Sequence, residues 1–275
     1  MPEAPEVQTV LNVLEKELTG RQITGASITH PRLSASMPFE DMEKKLTGQH
    51  FRKFSRLGKY LIIETDDYDW IVHLRMEGKF YVLPARPEPE DKHIHALFDL
   101  DDGRVLAYKD VRKFGRMYLY PRTDNVRSLP VFENIGTDVL EDITPESFLK
   151  KLPRKKAIKA SLLDQSVLAG IGNIYADEIL FASRIHPETP GSEITLEEAA
   201  RILHNTRRIM KEAIARKGTT IRSYTSSLGV QGEYQGQLQV HRKENEPCPL
   251  CGTPIEKIKV AQRSTYLCPH CQVKK

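Results

Sequence analysis

The sequence has little of what marks membrane, disulfide-rich or disordered proteins. It contains one Trp and four Cys, and aromatic residues make up only 7%. It has no run of the ~18 consecutive apolar residues that a membrane-spanning helix needs. Apolar residues still make up 39%, which suffices for ordinary hydrophobic cores. A length of 275 residues predicts two domains and a small appendage.

The chain also lacks a strong net charge and a signal-peptide pattern. Its first residues, MPEAPE, include neither a basic region nor an apolar stretch, so we expect a cytoplasmic protein without a membrane partner. The net charge of +4 is compatible with a nucleic-acid partner but does not require one. Residues 150–159, KKLPRKKAIK, indicate a face that binds anions; the alternative is a solvated helix surface.

All four cysteines follow residue 247, with the spacing C-x2-C-x16-C-x2-C. Paired C-x-x-C knuckles in a reduced compartment are typical of a four-thiolate zinc site, and the alternative is a redox-active pair. Such a closed sulfur shell has a structural role. Segments 253–258 and 264–267 predict a hairpin between the knuckles, hence a zinc ribbon. The predicted ligands of one Zn²⁺ ion are Cys248, Cys251, Cys268 and Cys271.

The pattern of apolar residues predicts an α+β protein. A first helix is expected over 5–19, followed by many short strands from 22 to 121 that predict a β-sandwich or barrel. A helical region comes next, and 219–236 is a polar, Gly-punctuated stretch typical of a lid or binding loop, or of disorder. The predicted helices are 145–152, 155–164, 174–183 and 195–216.

The N-terminus carries a candidate nucleophile. Initiator Met is normally removed before a residue as small as Pro2, which would leave a secondary amine. An α-amino group titrates near about 8, against about 10.4 for Lys, so more of it is unprotonated at neutral pH. Attack on a sugar aldehyde carbon would give an iminium ion, and Glu3 could move protons beside it. The alternative is that both residues only begin a helix.

Two further patterns suggest contacts with DNA. The GIGN motif at 170–173 precedes a helix, where Asn173 can act as the cap and the helix N-terminus attracts a phosphate; a plain capped helix is the alternative. Met76, Arg112 and Phe114 lie at turns between strands. Such residues can enter the base stack, although periodicity alone favours core packing for Met76 and Phe114.

Taken in order, these motifs resemble bacterial formamidopyrimidine-DNA glycosylase over essentially the whole chain. The matching segments are MPEAPEV at the N-terminus, RLGKY around Lys59, HLRMEG, DVRKFG, GIGNIYADE and AQRST in the zinc ribbon. The resemblance implies an N-terminal β-sandwich with a leading helix, a helix–two-turn–helix domain and a four-cysteine zinc ribbon. The boundaries that we expect are 1–130, 131–237 with a lid over 219–236, and 238–275.

The resemblance also implies an activity in base excision repair. The protein would be a bifunctional DNA glycosylase and AP lyase that excises 8-oxoguanine and formamidopyrimidines and then cuts the strand by β,δ-elimination. Pro2 would form the Schiff base, and Glu3 would act as acid and base. Lys59 would assist β-elimination. Arg263 would bind the phosphate beside the lesion and aid δ-elimination.

The implied partner is double-stranded DNA that contains oxidised bases or abasic sites, bound by a monomer at the bacterial nucleoid. Residues expected to fill the void left by the everted base are Met76, Arg112 and Phe114. Residues expected to contact DNA elsewhere are His93, Arg154, Lys155 and Asn173, with Arg112 in both groups.

The chain departs from the family pattern at Ala4, where leucine is usual, at His241-Arg242, where Tyr-Gly-Arg is common, and in the 219–236 loop. These departures leave the lesion preference open. One alternative is therefore an endonuclease VIII-like enzyme for oxidised pyrimidines, and another is a non-catalytic protein that binds damaged DNA. The set Met76, Arg112 and Phe114 favours the purine enzyme.

Overall fold

The structure is a computed structural model that describes residues 1–88, 91–219 and 232–275. The chain divides into two compact units, Met1–Glu133 with Lys217–Gly232, and Asn134–Arg216 with Glu233–Lys275. Most of the predicted lid, residues 220–231, lies outside the described residues. Among the helices of the described ranges, none has the length and apolarity to cross a membrane.

Unit 1 begins with helix α1, which covers Ala4–Leu18 and agrees with the predicted helix over 5–19. Pro5 lies in its first turn, where a missing N–H costs nothing, and Gly20 follows its end with a φ of +81°. A second helix, α2, covers Phe39–Leu46. The strands are β1 Ile23–Ile28, β2 Lys53–Leu57, β3 Tyr60–Glu64, β4 Tyr68–His73, β5 Lys79–Leu83, β6 Ile94–Leu100, β7 Val105–Lys109 and β8 Arg116–Pro121.

These strands form two four-stranded antiparallel sheets, ordered β1-β6-β7-β5 and β2-β3-β4-β8. Trp70 on β4 is fully buried and reaches Phe98 and Phe80 of the other sheet, with ring centroids 4.8 and 6.3 Å apart. Edge-to-face aromatic contacts of this kind stabilise beyond the area that they bury. The predicted β-sandwich with a leading helix is confirmed.

Unit 2 is mainly helical, with a short parallel pair, β9 and β10, before α5. Predicted helix 155–164 is shorter in the structure, because residues before Ile158 bond elsewhere. The N–H of Ile158 donates to the carbonyl of Thr189, and Ala157 forms a bridge with Pro190. The elements are β9 Thr137–Asp138, α3 Pro145–Lys151, α4 Ile158–Leu162, β10 Leu168–Ala169, α5 Asn173–Ser183 and α6 Leu196–Ala215.

The C-terminal ribbon of unit 2 is a hairpin of β11 (Glu256–Val260) and β12 (Arg263–Leu267). Ala261 and Gln262 connect the strands with positive φ angles of 47° and 61°, the backbone of a two-residue turn that matches strand twist. The predicted hairpin exists, although its first strand begins later than 253. The predicted four-cysteine ribbon and α+β class are confirmed.

Candidate functional site

The first three residues are held by the cap of α1. Pro2 and Glu3 are buried, and Glu3 is the N-cap of the helix. The carboxylate of Glu3 accepts from the N–H of Glu6, while the N–H of Glu3 donates to Oε2 of Glu6 at 2.8 Å. This reciprocal capping box fixes the N-terminus against the helix. A group at position 2 is therefore presented in one orientation.

The N-terminal amine lies in a desolvated, charged environment. Burial lowers the pKa of the Met1 ammonium, and the surrounding charges of Glu3, Glu6, Lys59 and Glu77 act on the same group. Lys59 is only 4% exposed and lies in the turn between β2 and β3. The structure therefore brings three of the predicted catalytic positions, at residues 2, 3 and 59, into one neighbourhood.

His73 belongs to this neighbourhood and was not found from the sequence. Its burial, followed by the positive charges of Arg75 and Lys59, lowers the pKa of His73 to about 3. Its Nδ1 accepts the N–H of Arg75 at 3.0 Å, and its ring meets Tyr60 edge to face at 4.5 Å. His73 is therefore a neutral imidazole at physiological pH. A lone His in an apolar strand gives no local signal for this arrangement.

Glu6 connects the first turn of α1 to a residue 213 positions away. Its Oε1 accepts the N–H of Thr219 at 2.8 Å and the hydroxyl of Thr219 at 3.1 Å. Gly218, with a φ of +74°, approaches so closely that an added Cβ would lie 2.6 Å from Oε1 of Glu6. The start of the predicted lid is thereby tied to the helix that presents Pro2.

Met76 and Phe114 line one cavity of about 360 Å³ together with Met1, Arg75 and Arg116. Phe114 is 47% exposed, which is unusual for so large an apolar side chain. Core packing, the expectation from periodicity, is wrong for Phe114. The geometry instead suits a side chain that contacts another molecule.

The loop that carries Phe114 is organised by Asp110, which is buried. Its carboxylate accepts the N–H groups of Arg112, Phe114 and Gly115 at 2.8–3.0 Å. The guanidinium of Arg112 lies over the ring of Phe114, 4.7 Å from its centroid, a cation–π contact. The carbonyl of His93 accepts the N–H of Asp110, so His93 lies beside the base of this loop.

In unit 2, Arg263 is exposed at the start of β12. Lys159 fixes the two residues that follow Arg263. Its Nζ donates to the carbonyl of Ser264 at 3.1 Å and to the hydroxyl of Thr265 at 2.7 Å. The side-chain amide of Asn173 donates to the same Ser264 carbonyl at 2.9 Å. The position of Arg263 thus depends on two distant side chains.

The proposed capping role of Asn173 is wrong. Gly172 occupies the N-cap position of α5 and no side chain caps the helix, whereas Asn173 is its first residue and bonds to Ser264. Arg154 and Lys155 are exposed in the segment before α4. They are therefore accessible, as phosphate contacts must be.

Buried charges support the helix behind the hairpin. Asp177 on α5 pairs through Oδ1 with Lys159 and through Oδ2 with Nδ1 of His241, both at 2.7 Å. The neighbouring Glu178 accepts the N–H groups of 239, 240 and 241 at 2.8–3.0 Å. Burial raises the pKa of Glu178. These contacts join α5 to the segment that leads into the ribbon.

The four cysteine sulfur atoms lie within 4.8 Å of one another. Sγ–Sγ separations of 3.5 to 3.9 Å agree with the edge of about 3.8 Å that four Zn–S bonds of 2.3 Å would give in a tetrahedron. The cluster therefore fits one structural zinc ion, and this prediction is confirmed. Its ligands pack in a small apolar cluster made of Phe181, Val240, Cys248, Ile255 and Cys268.

Family models match three parts of the chain. The formamidopyrimidine-DNA glycosylase N-terminal domain matches residues 1–117, the formamidopyrimidine-DNA glycosylase H2TH domain matches 135–225, and the zinc finger found in FPG and IleRS matches 245–273.

Similar proteins match the chain over its full length. A formamidopyrimidine-DNA glycosylase of Ligilactobacillus salivarius is 44% identical and covers 100% of both chains. A Lactococcus lactis FPG variant, solved with DNA containing Fapy-dG, is 41% identical with a TM-score of 0.91 over 99% of this chain and 100% of that one. The wild-type L. lactis protein, solved with DNA containing an oxidised pyrimidine, is 41% identical with a TM-score of 0.89 over the same shares of the two chains. The resemblance carried by the motifs is thus confirmed, and the chain belongs to the formamidopyrimidine-DNA glycosylase family.

Proposed function

We propose that this protein is a bifunctional DNA glycosylase and AP lyase that excises oxidised purines, 8-oxoguanine and formamidopyrimidines, in base excision repair. The observation that carries the proposal is the desolvated N-terminus, where the charges of Glu3 and Lys59 act on one amine. Beside it, Met76 and Phe114 line a cavity that includes Met1. The N-terminal residue and two side chains suited to opening a duplex therefore border the same cavity.

The proposed chemistry starts when Met1 is removed and the nitrogen of Pro2 becomes the amine. This nitrogen attacks C1′ of the damaged nucleotide while the bond from C1′ to the base breaks, and the base leaves with a proton. Glu3 supplies protons at the sugar, since it lies next to the nucleophile. Protonation of the ring oxygen O4′ by Glu3 then breaks the C1′–O4′ bond and gives the iminium. The iminium acidifies the proton on C2′, so that successive eliminations break the C3′–O and then the C5′–O bond to the flanking phosphates.

The damaged base must first leave the stack, which costs a few kcal/mol. Insertion of Met76, Arg112 and Phe114 into the void would offset part of this cost. The exposed ring of Phe114 and the guanidinium held over it support this role. His93 would contact the backbone close to the same loop.

The second unit would hold the phosphates. Arg263, Arg154, Lys155 and Asn173 are proposed to contact the DNA backbone, and Arg263 would also assist δ-elimination. A zinc ion held by the four cysteines would supply no chemistry and would stabilise the ribbon that carries Arg263. The boundaries 1–130, 131–237 and 238–275 stay a prediction, as do a monomeric state and a cytoplasmic location at the nucleoid.

The lesion preference tests this function directly. We expect excision of 8-oxoguanine opposite cytosine to exceed excision of thymine glycol by at least about tenfold in kcat/KM, because the void-filling set favours the purine enzyme. The second candidate is an endonuclease VIII-like activity on oxidised pyrimidines, which is favoured by the L. lactis complex with DNA containing an oxidised pyrimidine. A strong preference for thymine glycol would establish that candidate instead. Absence of any borohydride-trapped adduct on abasic DNA would favour a non-catalytic binding protein.

Lys59→Ala is expected to slow base excision more than cleavage at a preformed abasic site. The side chain of Lys59 is buried in the neighbourhood of the N-terminus, where a positive charge would favour departure of the base. Single-turnover rates on 8-oxoguanine and abasic duplexes would measure both steps. The matched control is Lys53→Ala, whose side chain is 67% exposed on the adjacent strand. An equal fall in both rates would contradict the assignment.

A further inference from the structure

Tyr108, the fourth residue of β7, fills a space that two glycines leave open. Its side chain is fully buried, with its ring 5.2 Å from that of Phe80. The Tyr108 hydroxyl lies close to the positions that Cβ atoms would occupy on Gly78 and Gly115, which belong to two separate loops. A Cβ built on Gly78 would lie 2.1 Å from this oxygen, and one built on Gly115 would lie 1.8 Å from it.

Neither glycine has a positive φ, so space and not backbone conformation requires glycine at both positions. Gly78 ends the turn of Met76, where its N–H donates to the carbonyl of Leu74 at 3.0 Å. Gly115 ends the loop of Phe114, where its N–H donates to Oδ2 of Asp110 at 2.8 Å. One phenol oxygen therefore lies against the last residue of each loop.

We propose that Tyr108 is a positioning residue that fixes the separation of Met76 from Phe114, and that Gly115 is required because it leaves room for the Tyr108 hydroxyl between the loops. Gly78 leaves room for the same hydroxyl, and a Cβ there would also lie 2.6 Å from the carbonyl oxygen of Leu74. The inference rests on the proposed role of these two side chains in filling the void. Tyr108 itself is fully buried and contacts no substrate; it acts through the loops.

Close packing around Tyr108 leaves its side chain little room to move. Protein interiors have few voids, so a methyl group placed 1.8 Å from an oxygen must displace either the loop or the ring. Since Asp110 holds the loop by three N–H groups, displacement would move Phe114 together with its neighbours. A misplacement of about 1 Å can cost as much as ~10²-fold in rate.

The test uses Gly115→Ala, Tyr108→Phe and the double variant in the full-length, zinc-loaded protein. The readout is stopped-flow fluorescence of 2-aminopurine placed next to 8-oxoguanine in a duplex, which brightens when its neighbour leaves the stack. Gly115→Ala should slow this rise by about tenfold or more. The double variant should recover part of the lost rate, because Tyr108→Phe removes the oxygen nearest to the new methyl group. Trapping by borohydride on single-stranded abasic DNA, which has no void to fill, should stay within about twofold.

Tyr81→Phe is the matched control, since Tyr81 lies on β5 and packs against the separate cluster of Leu97, Val105 and Ala107. If Gly115→Ala fails to fold, Tyr108→Phe alone must still slow the rise beyond the range of this control. An unchanged rise in folded Gly115→Ala, or a double variant no faster than Gly115→Ala, would overturn the proposal. Failure of the wild type to excise 8-oxoguanine would instead remove the proposed function.

Discussion

Replacing Pro2 with glycine is expected to lower both base excision and abasic-site cleavage by at least about 100-fold, the scale on which loss of a covalent nucleophile acts. The secondary amine of proline gives an iminium directly, whereas the primary amine of glycine gives an imine that must be protonated before it withdraws electrons equally well. Glycine also lacks the pyrrolidine ring that fixes the position of the nitrogen relative to Cα. Single-turnover kinetics and the yield of borohydride-trapped adduct would measure the loss.

The same experiment includes the intact mass of each protein, because the proposed nucleophile exists only after removal of Met1. Glycine is small enough to permit this removal too, so the two proteins should match in processing. Pro38→Gly serves as the control, since Pro38 is exposed at the start of α2. Efficient trapping by a protein that retains Met1 would show that another group is the nucleophile.

Cys268→Ser is expected to lower DNA affinity by at least about 100-fold while the β-sandwich stays folded. Binding of structural zinc supplies on the order of 10 kcal/mol to small domains, and the loss of one thiolate removes much of it. The ribbon has only a small apolar cluster to replace this energy. Arg263 would then no longer be held at a fixed position. Fluorescence anisotropy on an abasic duplex, zinc analysis and circular dichroism would follow the three consequences.

Leu250→Ser is the matched variant within the first knuckle, because Leu250 lies between two ligands and is 58% exposed. It should bind zinc and DNA as the wild type does. Undiminished affinity in zinc-depleted Cys268→Ser would refute the role assigned to the metal. Loss of the sandwich signal in that variant would mean that the two units do not fold independently.

Local sequence was sufficient to predict most of the elements. The apolar spacing from Val7 to Leu18 predicted α1, because a helix buries residues that recur every three or four positions. The cysteine spacing predicted the ribbon, because each knuckle supplies two ligands three positions apart. Thr195 and Glu198 form a reciprocal capping box at the start of α6, which a Thr three positions before a Glu favours. Helix 155–164 was predicted too long since its first residues bond to 189–190, beyond the reach of local periodicity.

The contacts that position the site could not be predicted in this way. Asn173 bonds to Ser264, 91 residues away, and therefore does not make the local cap that its position favoured. The link between Glu6 and Thr219 and the placement of Tyr108 against two glycines likewise depend on the packed fold. The motifs predict the candidate site residues, and tertiary structure determines the contacts that hold them.

The ribbon's apolar cluster bears on how freely this module can be exchanged between proteins. A domain description shared by FPG and IleRS indicates that such fingers occur in more than one protein context. In this chain, however, the cluster includes Phe181 of α5, and the side chain of Gln272 donates to the carbonyl of Ile185 just beyond that helix. A ribbon transplanted from residue 238 onward would leave both contacts behind. To fold in another protein, this ribbon would therefore need an aromatic side chain in place of Phe181 and a carbonyl acceptor in place of Ile185.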